Sequence, residues 1–260
     1  MLYTEKLLQE VLLGLHSMCK GADAQFFNGH TNITSSRFLV FGVKGMLSAA
    51  KNVRNAMLFN VLSFMSDKLL TVGNTVAALD ELYIWLSNPT AIEYIRNCLK
   101  RVRKKESAML LASQNLEDFE LESGKSVITL DAEHEQQEMC EAVGGCFADL
   151  MAGKYIINVL EPKCWDDGGD PDDTAAPEAF RKSTLLAQHV SFLKDFFRAY
   201  KDFSDVHIDT IEIMVSKLYA KWGITERSNF RRMRPEDYPI LSDLYDLIEE
   251  EFKSYDPNAH

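Results

Sequence analysis

The sequence lacks several features that would place the chain in a special class of protein. It has no CxxC pair, and its five cysteines are odd in number, so we expect reduced thiols of a cytosolic protein rather than a disulfide framework. No apolar run approaches the length of a membrane span, and the first residues do not form a signal-peptide pattern. We therefore expect a chain without a membrane span.

A complete phosphate-binding loop is also missing. Gly124-Lys125-Ser126 looks like the end of a Gly-x-x-x-x-Gly-Lys-Ser motif, but Phe119 stands where the first glycine is required. Glu120 and Glu122 place carboxylates where phosphates would approach, and the residues after Ser126 are strand-like rather than helical. We interpret this stretch as a turn that leads into a strand.

Acidic residues outnumber basic ones, with 39 Asp and Glu against 28 Lys and Arg. The formal net charge is −11, so the molecule as a whole is not expected to bind nucleic acid. The run RNCLKRVRKKES, residues 96–107, is nevertheless strongly basic. Such a run is typical of a solvated helix end, where the helix dipole favours cations. The alternatives are an arginine that reaches a neighbouring subunit's nucleotide and a local DNA-binding patch.

The sequence alternates between short apolar runs and helical patterns. These patterns predict an α/β protein with a mostly parallel sheet, followed by an all-α region. Two β-like pieces at 146–151 and 155–160 separate the two parts, and Ser204 and Arg234-Pro235 are predicted helix starts. The predicted strands are 37–43, 75–81, 107–115 and 126–133, and the first helices are 4–19, 52–70 and 88–105.

The strongest chemical signal lies at the end of the second predicted strand. Four apolar residues lead into Asp80-Glu81, a pattern in which one carboxylate binds Mg²⁺ and the next activates water. Gln114 ends the next predicted strand, at the edge where parallel sheets bind ligands, and could sense phosphate or orient water. Chance acidic pairs and ordinary polar loops are the alternatives.

A second polar group follows the strand 126–133. Asp131, Glu133, His134 and Glu135 lie close together in the sequence. We interpret them as a polar turn between a strand and a helix, with a carboxylate and histidine metal site as the alternative.

Residues 36–119 resemble the C-terminal ATPase domain of the large type IV secretion (conjugative transfer) ATPase of Gram-positive mobile elements. That family belongs to the FtsK–HerA class of hexameric P-loop motors. The acidic-pair strand, the basic helix end and the strand ending in ASQN occur in the family's order. Residues 126–145 are similar to the strand and helix that follow the family's Walker A helix.

The resemblance implies a P-loop NTPase-like (RecA-like) core with an all-α subdomain. The core would span 36–163, with a Walker B half at 36–119 and a post-Walker A half at 124–163. An acidic linker at 164–179 would lead to the all-α subdomain, formed by 180–260 plus 1–35.

The resemblance also implies roles for individual residues. Asp80 matches the metal ligand, and Glu81, Gln114 and Arg103 match catalytic positions, with Arg103 acting between subunits. Asp131 and Glu133 are assigned to cofactor binding. Mg²⁺ and ATP are the cofactors of the parent family, which acts as a homo-hexamer with type IV secretion components and DNA. Its place is the bacterial cytoplasm, at the inner face of the membrane through a secretion complex.

The segments occur in a different order from that of the family. The strand 126–133 should precede the helical subdomain and the Walker B strand, so the chain resembles a circular permutation with a seam near 120–124. The seam lies where the Walker A loop would be. Without that loop the phosphates lose a lysine and a backbone cradle, so we predict weak or absent ATP hydrolysis.

Two other functions remain open from the sequence. The first is a non-catalytic interaction module whose aromatic helix faces bind a partner. The second is a metal-dependent hydrolase that uses Asp80, Glu81, Asp131 and Glu133. The aromatic residues in question are Phe192, Phe196, Phe197, Tyr200, Tyr245 and Phe252.

Overall fold

The computed structural model describes residues 3–33, 36–79, 89–111, 126–131, 134–163, 184–230 and 232–255. Five strands in these ranges form one sheet of order β3-β2-β4-β1-β5, and every pair is parallel. The predicted α/β fold with a parallel sheet is confirmed. The strands are β1 Phe38–Gly42, β2 Thr75–Leu79, β3 Ala108–Leu111, β4 Ser126–Asp131 and β5 Cys146–Asp149.

The helices begin and end largely where local sequence signals place them. Thr4 caps the first helix, because its side chain accepts a hydrogen bond from the Leu7 backbone N–H. Ser204 caps the seventh, together with His207. The helices are α1 Glu5–Cys19, α2 Ala24–Phe27, α3 Lys51–Asp67, α4 Pro89–Arg101, α5 Gln137–Ala142, α6 Leu185–Tyr200, α7 Asp205–Lys221 and α8 Leu241–Lys253.

Two local predictions are wrong. Residues 155–160 do not form a strand, and Ile156 instead exchanges hydrogen bonds with Asn32, one of them to the asparagine side chain. Arg234-Pro235 begins only a short 3-10 turn, and α8 starts at Leu241. Pro239 explains the late start, because a proline disfavours helical backbone at the residue before it.

The helix α3 lies at the centre of the molecule. Leu39 and Phe41 project from one face of the sheet into the same core as α3, and α6 packs on another side of this helix. Almost the whole circumference of α3 is buried between residues 56 and 66. A helix buried on all sides should be apolar all round rather than amphipathic, and this part of α3 is apolar except at Asn60, Ser63 and Ser66, which are also buried.

The other face of the sheet has a separate, smaller core. Phe38 and Val40 of β1 contact Cys140 of α5 there. This division follows from strand geometry, since alternate side chains point to opposite faces. Because of the register between β2 and β3, Leu110 also lies on this second face, where it is 38% exposed.

The N-terminal helix packs with the C-terminal helices. The helix α1 lies against α7 and α8, and α6 lies against α7. Tyr3 Oη donates to Glu251 Oε2 at 2.6 Å, and Lys217 Nζ lies 2.8 Å from the same carboxylate oxygen. One apolar core includes both Leu8 of α1 and Leu39 of β1, so the domain boundary at residue 36 stays a prediction.

The predicted aromatic docking face on α6 is part of this core. Phe192, Phe196 and Phe197 are fully buried, and Tyr200 is 3% exposed. Their rings pack edge-on or tilted against one another and against Phe27. These side chains therefore hold the fold together and do not bind a partner, which corrects the sequence-based hypothesis for this face.

Candidate functional site

The carboxyl ends of the strands meet at one edge of the sheet. Leu79 of β2 is in register with Leu111 of β3 and Leu130 of β4, and Gly42 of β1 is in register with Asp131. In the sequence, Asp80 directly follows Leu79. The strand that carries the predicted acidic pair thus lies inside the sheet, between two strands with predicted site residues.

The structure describes two of the six predicted site residues, Asp131 and Arg103. The other four lie outside the described residues, so their roles stay predictions. They are Asp80, Glu81, Gln114 and Glu133.

Asp131 is fixed at the end of β4 by backbone hydrogen bonds. Its side chain is buried, Oδ1 accepts from the Glu135 N–H at 3.2 Å, and Oδ2 accepts from the Gln136 N–H at 2.9 Å. Its backbone carbonyl accepts from the Val43 N–H at 2.9 Å. The carboxylate therefore closes the turn into α5 and ties that turn to β1. A carboxylate offers about four lone-pair directions, so these bonds also orient its remaining acceptor capacity.

His134 lies beside Asp131 in a left-handed backbone conformation, with φ of 63°. Its ring contacts Phe147 edge-on, with centroids 5.2 Å apart. Within the described part of the chain, its buried Nε2 has no hydrogen-bond partner. A Cβ added at Gly42 would lie only 2.8 Å from this nitrogen, so the imidazole fits against β1 because residue 42 is glycine.

Gly42 belongs to the candidate site, although the sequence analysis did not identify it. A glycine at the end of an apolar strand is a recognisable signal, since it marks close approach of another group. Only the structure shows that the approaching group is His134. From the sequence, His134 is predicted to lie in a polar turn between a strand and a helix, with a metal site as the alternative.

Arg103 lies at the amino-terminal ends of the strands, opposite to the carboxyl ends where Asp131 lies. It belongs to the 3-10 turn Val102–Lys105, which precedes β3. A five-residue strand is about 16 Å long, so the carboxyl edge is beyond the reach of Arg103 within one chain. If Arg103 acts on a nucleotide, it must act on that of a neighbouring subunit, which is the role that the family resemblance implies.

A metal site is not assembled by the residues that the structure describes. No group of three or more His, Cys, Asp or Glu side chains among them could hold a metal ion. The metal-dependent hydrolase would therefore depend on carboxylates outside the described ranges.

Three buried cysteines, Cys19, Cys98 and Cys140, are not activated for chemistry. Burial raises the pKa of Cys98 and of Cys140 to about 11, and that of Cys19 to about 12. These thiols stay protonated at neutral pH, and a protonated thiol is a poor nucleophile and metal ligand.

Two clefts lie away from the carboxyl edge. One, of about 240 Å³, opens near the amino-terminal ends of the strands and is lined by Phe64, Lys68 and Thr75. The other, of about 330 Å³, lies between α6 and α7. In the described ranges, no helix is long and apolar enough to cross a membrane.

Comparison with known proteins found no relative. No family model, no curated protein and no solved structure matches the chain. The functional assignment therefore rests on the residues, on the strand register and on the resemblance noted in the sequence.

Proposed function

We propose that the chain is a rearranged fragment of a conjugative transfer (type IV secretion) motor ATPase and that it hydrolyses ATP weakly or not at all. One observation carries the proposal: β2 lies between β3 and β4 in an all-parallel sheet. The strand leading to Asp80-Glu81 is therefore flanked by the strands leading to Gln114 and to Asp131. The parent's motor would use ATP and Mg²⁺ to drive DNA or protein transfer.

The strand register supports a shared site at this edge. Leu79 and Leu130 are paired, and the chain continues from them into Asp80 and Asp131 respectively. Ligands of open parallel sheets bind at the carboxyl ends of the strands. Two carboxylates that follow paired residues suit Mg²⁺, a cation that prefers oxygen ligands and bridges the protein to nucleotide phosphates.

Weak hydrolysis follows from the missing phosphate loop. Phe119 occupies the position of its first glycine, and Glu120 and Glu122 bring negative charge to the segment. Without a lysine and backbone N–H groups around the phosphates, the charge that develops during transfer is poorly stabilised. Asp131 is a further reason to expect weak hydrolysis, because both of its carboxylate oxygens already accept backbone hydrogen bonds.

Nucleotide binding and turnover of the full chain test this proposal. With Mg²⁺ and a fluorescent ATP analogue we expect binding that Asp80→Asn weakens. Turnover should stay below about 0.01 s⁻¹, roughly 100-fold under the slow end of ordinary enzymes. Glu135→Gln is the matched control, since it removes an exposed carboxylate and keeps the backbone N–H that donates to Asp131.

Two results would contradict the proposal in different ways. Rapid Mg²⁺-dependent turnover that Glu81→Gln abolishes would show that the chain is an active ATPase. If the folded protein binds no nucleotide, the proposed motor-derived nucleotide site is wrong, and a non-catalytic role is favoured.

A further inference from the structure

The amino-terminal edge of the sheet carries a strongly basic surface. Positions 96, 99, 100, 103 and 104 are exposed, and their spacing of three and four residues places them along one side of α4 and the 3-10 turn that continues it. Arg96 pairs with Glu93, one turn away. Arg103 and Lys104, at the far end of the stripe, have no ion pair with any described residue.

The loop between α3 and β2 extends this surface. The π-helical turn Lys68–Val72 packs against the 3-10 turn Val102–Lys105. The Asn74 N–H donates to the Lys105 carbonyl at 2.9 Å, and Gly73 approaches the same carbonyl so closely that a Cβ would lie 2.8 Å from it. Val72, in this π-helical turn, is 63% exposed.

This surface also includes two exposed aliphatic residues. Val72 is one, and Leu99, in the exposed stripe of α4, is 40% exposed. We call this surface the basic edge. It consists of Lys68, Val72, Leu99, Lys100, Arg103 and Lys104.

We propose that the basic edge docks onto a bilayer that contains anionic phospholipids. Lysine and arginine near a membrane surface are attracted to anionic headgroups, and small aliphatic side chains enter the boundary between headgroups and acyl chains. The remainder of the chain is acidic, because the whole molecule carries a net charge of −11 in spite of this patch. Repulsion of the acidic remainder orients the molecule with the basic edge toward the lipid.

Nucleic acid fits the same surface less well. Single strands are held by aromatic side chains on which bases stack, whereas the exposed large apolar residues described on the basic edge are aliphatic. Exposed Val72 and Leu99 gain nothing from a phosphate backbone, but they lose contact with water when they enter a lipid interface.

This inference does not rest on the proposed ATPase origin. The basic edge lies at the end of the sheet opposite to Asp131, and lipid binding requires no nucleotide. Either proposal can fail while the other stands, because lipid binding is measured without ATP.

Flotation of the full chain with vesicles tests the inference. At 50 mM NaCl we expect the protein to float with vesicles of 30% phosphatidylserine in phosphatidylcholine, and not with phosphatidylcholine alone. Each cation near the surface contributes about a fivefold change in partitioning, so Arg103→Ala with Lys104→Ala should weaken binding about 25-fold. Rising NaCl should weaken binding of the wild type as screening shortens the range of the attraction.

A control double variant must remove two positive charges elsewhere on the molecule. That variant also has to be remote from the basic edge in space, so the control that is scored is Lys6→Ala with Lys253→Ala. It removes the same charge from exposed lysines of α1 and α8, two helices that pack against each other and against α7, and its partitioning should equal that of the wild type. The circular dichroism spectrum and the melting temperature of each variant establish that it is folded.

A fluorescent variant distinguishes lipid from other polyanions. Val72→Trp should show an additional blue shift of tryptophan emission, relative to the wild type, when anionic vesicles are added. The proposal is overturned if the folded wild type does not float, or if both double variants bind equally. It is also overturned if a 20-nucleotide DNA binds with Arg103/Lys104 dependence while the vesicles do not.

Discussion

Asp131 Oδ2 accepts a hydrogen bond from the Gln136 backbone N–H at 2.9 Å, which fixes the turn between β4 and α5. Oδ1 holds the Glu135 N–H of the same turn. A strand-end carboxylate that sequence reasoning assigned to a cofactor therefore also has a structural task. Any loss of function in an Asp131 variant must be separated from a loss of stability.

Asp131→Ala should destabilise the protein by about 2 kcal/mol, because charge-assisted hydrogen bonds contribute about 1.5–3 kcal/mol. Asp131→Asn should cost less, since its amide oxygen still accepts one bond. Urea unfolding gives both values. Glu135→Ala removes a neighbouring exposed carboxylate but keeps the backbone donor, and should be nearly neutral. Equal effects at positions 131 and 135 would contradict the capping role.

Gly42→Ala should destabilise the protein by about 1–3 kcal/mol through overpacking. The added methyl group would lie 2.7 Å from Phe147 Cζ and 2.8 Å from His134 Nε2. Thermal or urea unfolding of Gly42→Ala, His134→Ala and the double variant measures the coupling. We expect the double variant to be more stable than the sum of the single changes predicts, by about 1 kcal/mol. Strict additivity would mean that the two side chains do not compete for space.

His189 should make the protein acid-sensitive. Its burial, together with the positive charge of Lys163, lowers the pKa of its imidazole from 6.5 to about 3. Below pH 6.5 the unfolded chain binds this proton and the folded chain does not. The free energy of unfolding should therefore fall as the pH is lowered from about 6.5 toward 3, by up to about 1.4 kcal/mol per pH unit. Above pH 6.5 this contribution is constant.

Denaturant unfolding at a series of pH values measures the effect of His189. The variant His189→Gln should lose this part of the pH dependence, although it will differ in absolute stability. Val190→Ala, which changes the neighbouring residue of α6 and removes no titratable group, should keep the wild-type slope. An unchanged slope in His189→Gln would show that the imidazole is protonated in the folded protein.

A permuted variant tests the packing of the first and last helices. Tyr3 Oη lies 2.6 Å from Glu251 Oε2, so a short linker between residues 260 and 1 should fit without strain. With new ends opened between residues 119 and 124, the variant should fold cooperatively. Opening between Leu58 and Phe59, in buried α3, should prevent folding. Failure of the first variant, measured by circular dichroism and thermal melting, would contradict the proximity of Tyr3 and Glu251.

The sequence was most informative where a pattern is local. Apolar runs predicted β1 to β4, although the predicted ends at 80–81, 112–115 and 132–133 lie outside the described residues. Thr4 and Ser204 predicted helix caps that the structure contains. The strand prediction for residues 155–160 was wrong because their apolar side chains are buried although their backbone is irregular. The Asn158 side chain stabilises this irregular backbone by donating a hydrogen bond to the Pro239 carbonyl. Apolar periodicity reports burial, and burial does not require a strand.

The site was less predictable because it depends on strand order. The runs that form β1, β2 and β4 are similarly apolar, and nothing local shows that β4 lies between β1 and β2. The closeness of Gly42, Asp131 and His134 is a product of that order. Arg103 lies at the amino-terminal ends of the strands, and this position is likewise a consequence of the parallel strand direction.

The strand order also has a consequence for the rate of folding. Phe38 pairs with Val127, about 90 positions further along the chain, whereas Val76 pairs with Ala108 after about 30. Closing the shorter loop costs less chain entropy, so we expect the β2–α4–β3 unit to form first and the entry of β1 and β4 to limit the rate. Pulse-labelled amide exchange should protect Ala77 and Met109 before Val40. Slow assembly would leave the apolar edge of a half-built sheet open to other chains.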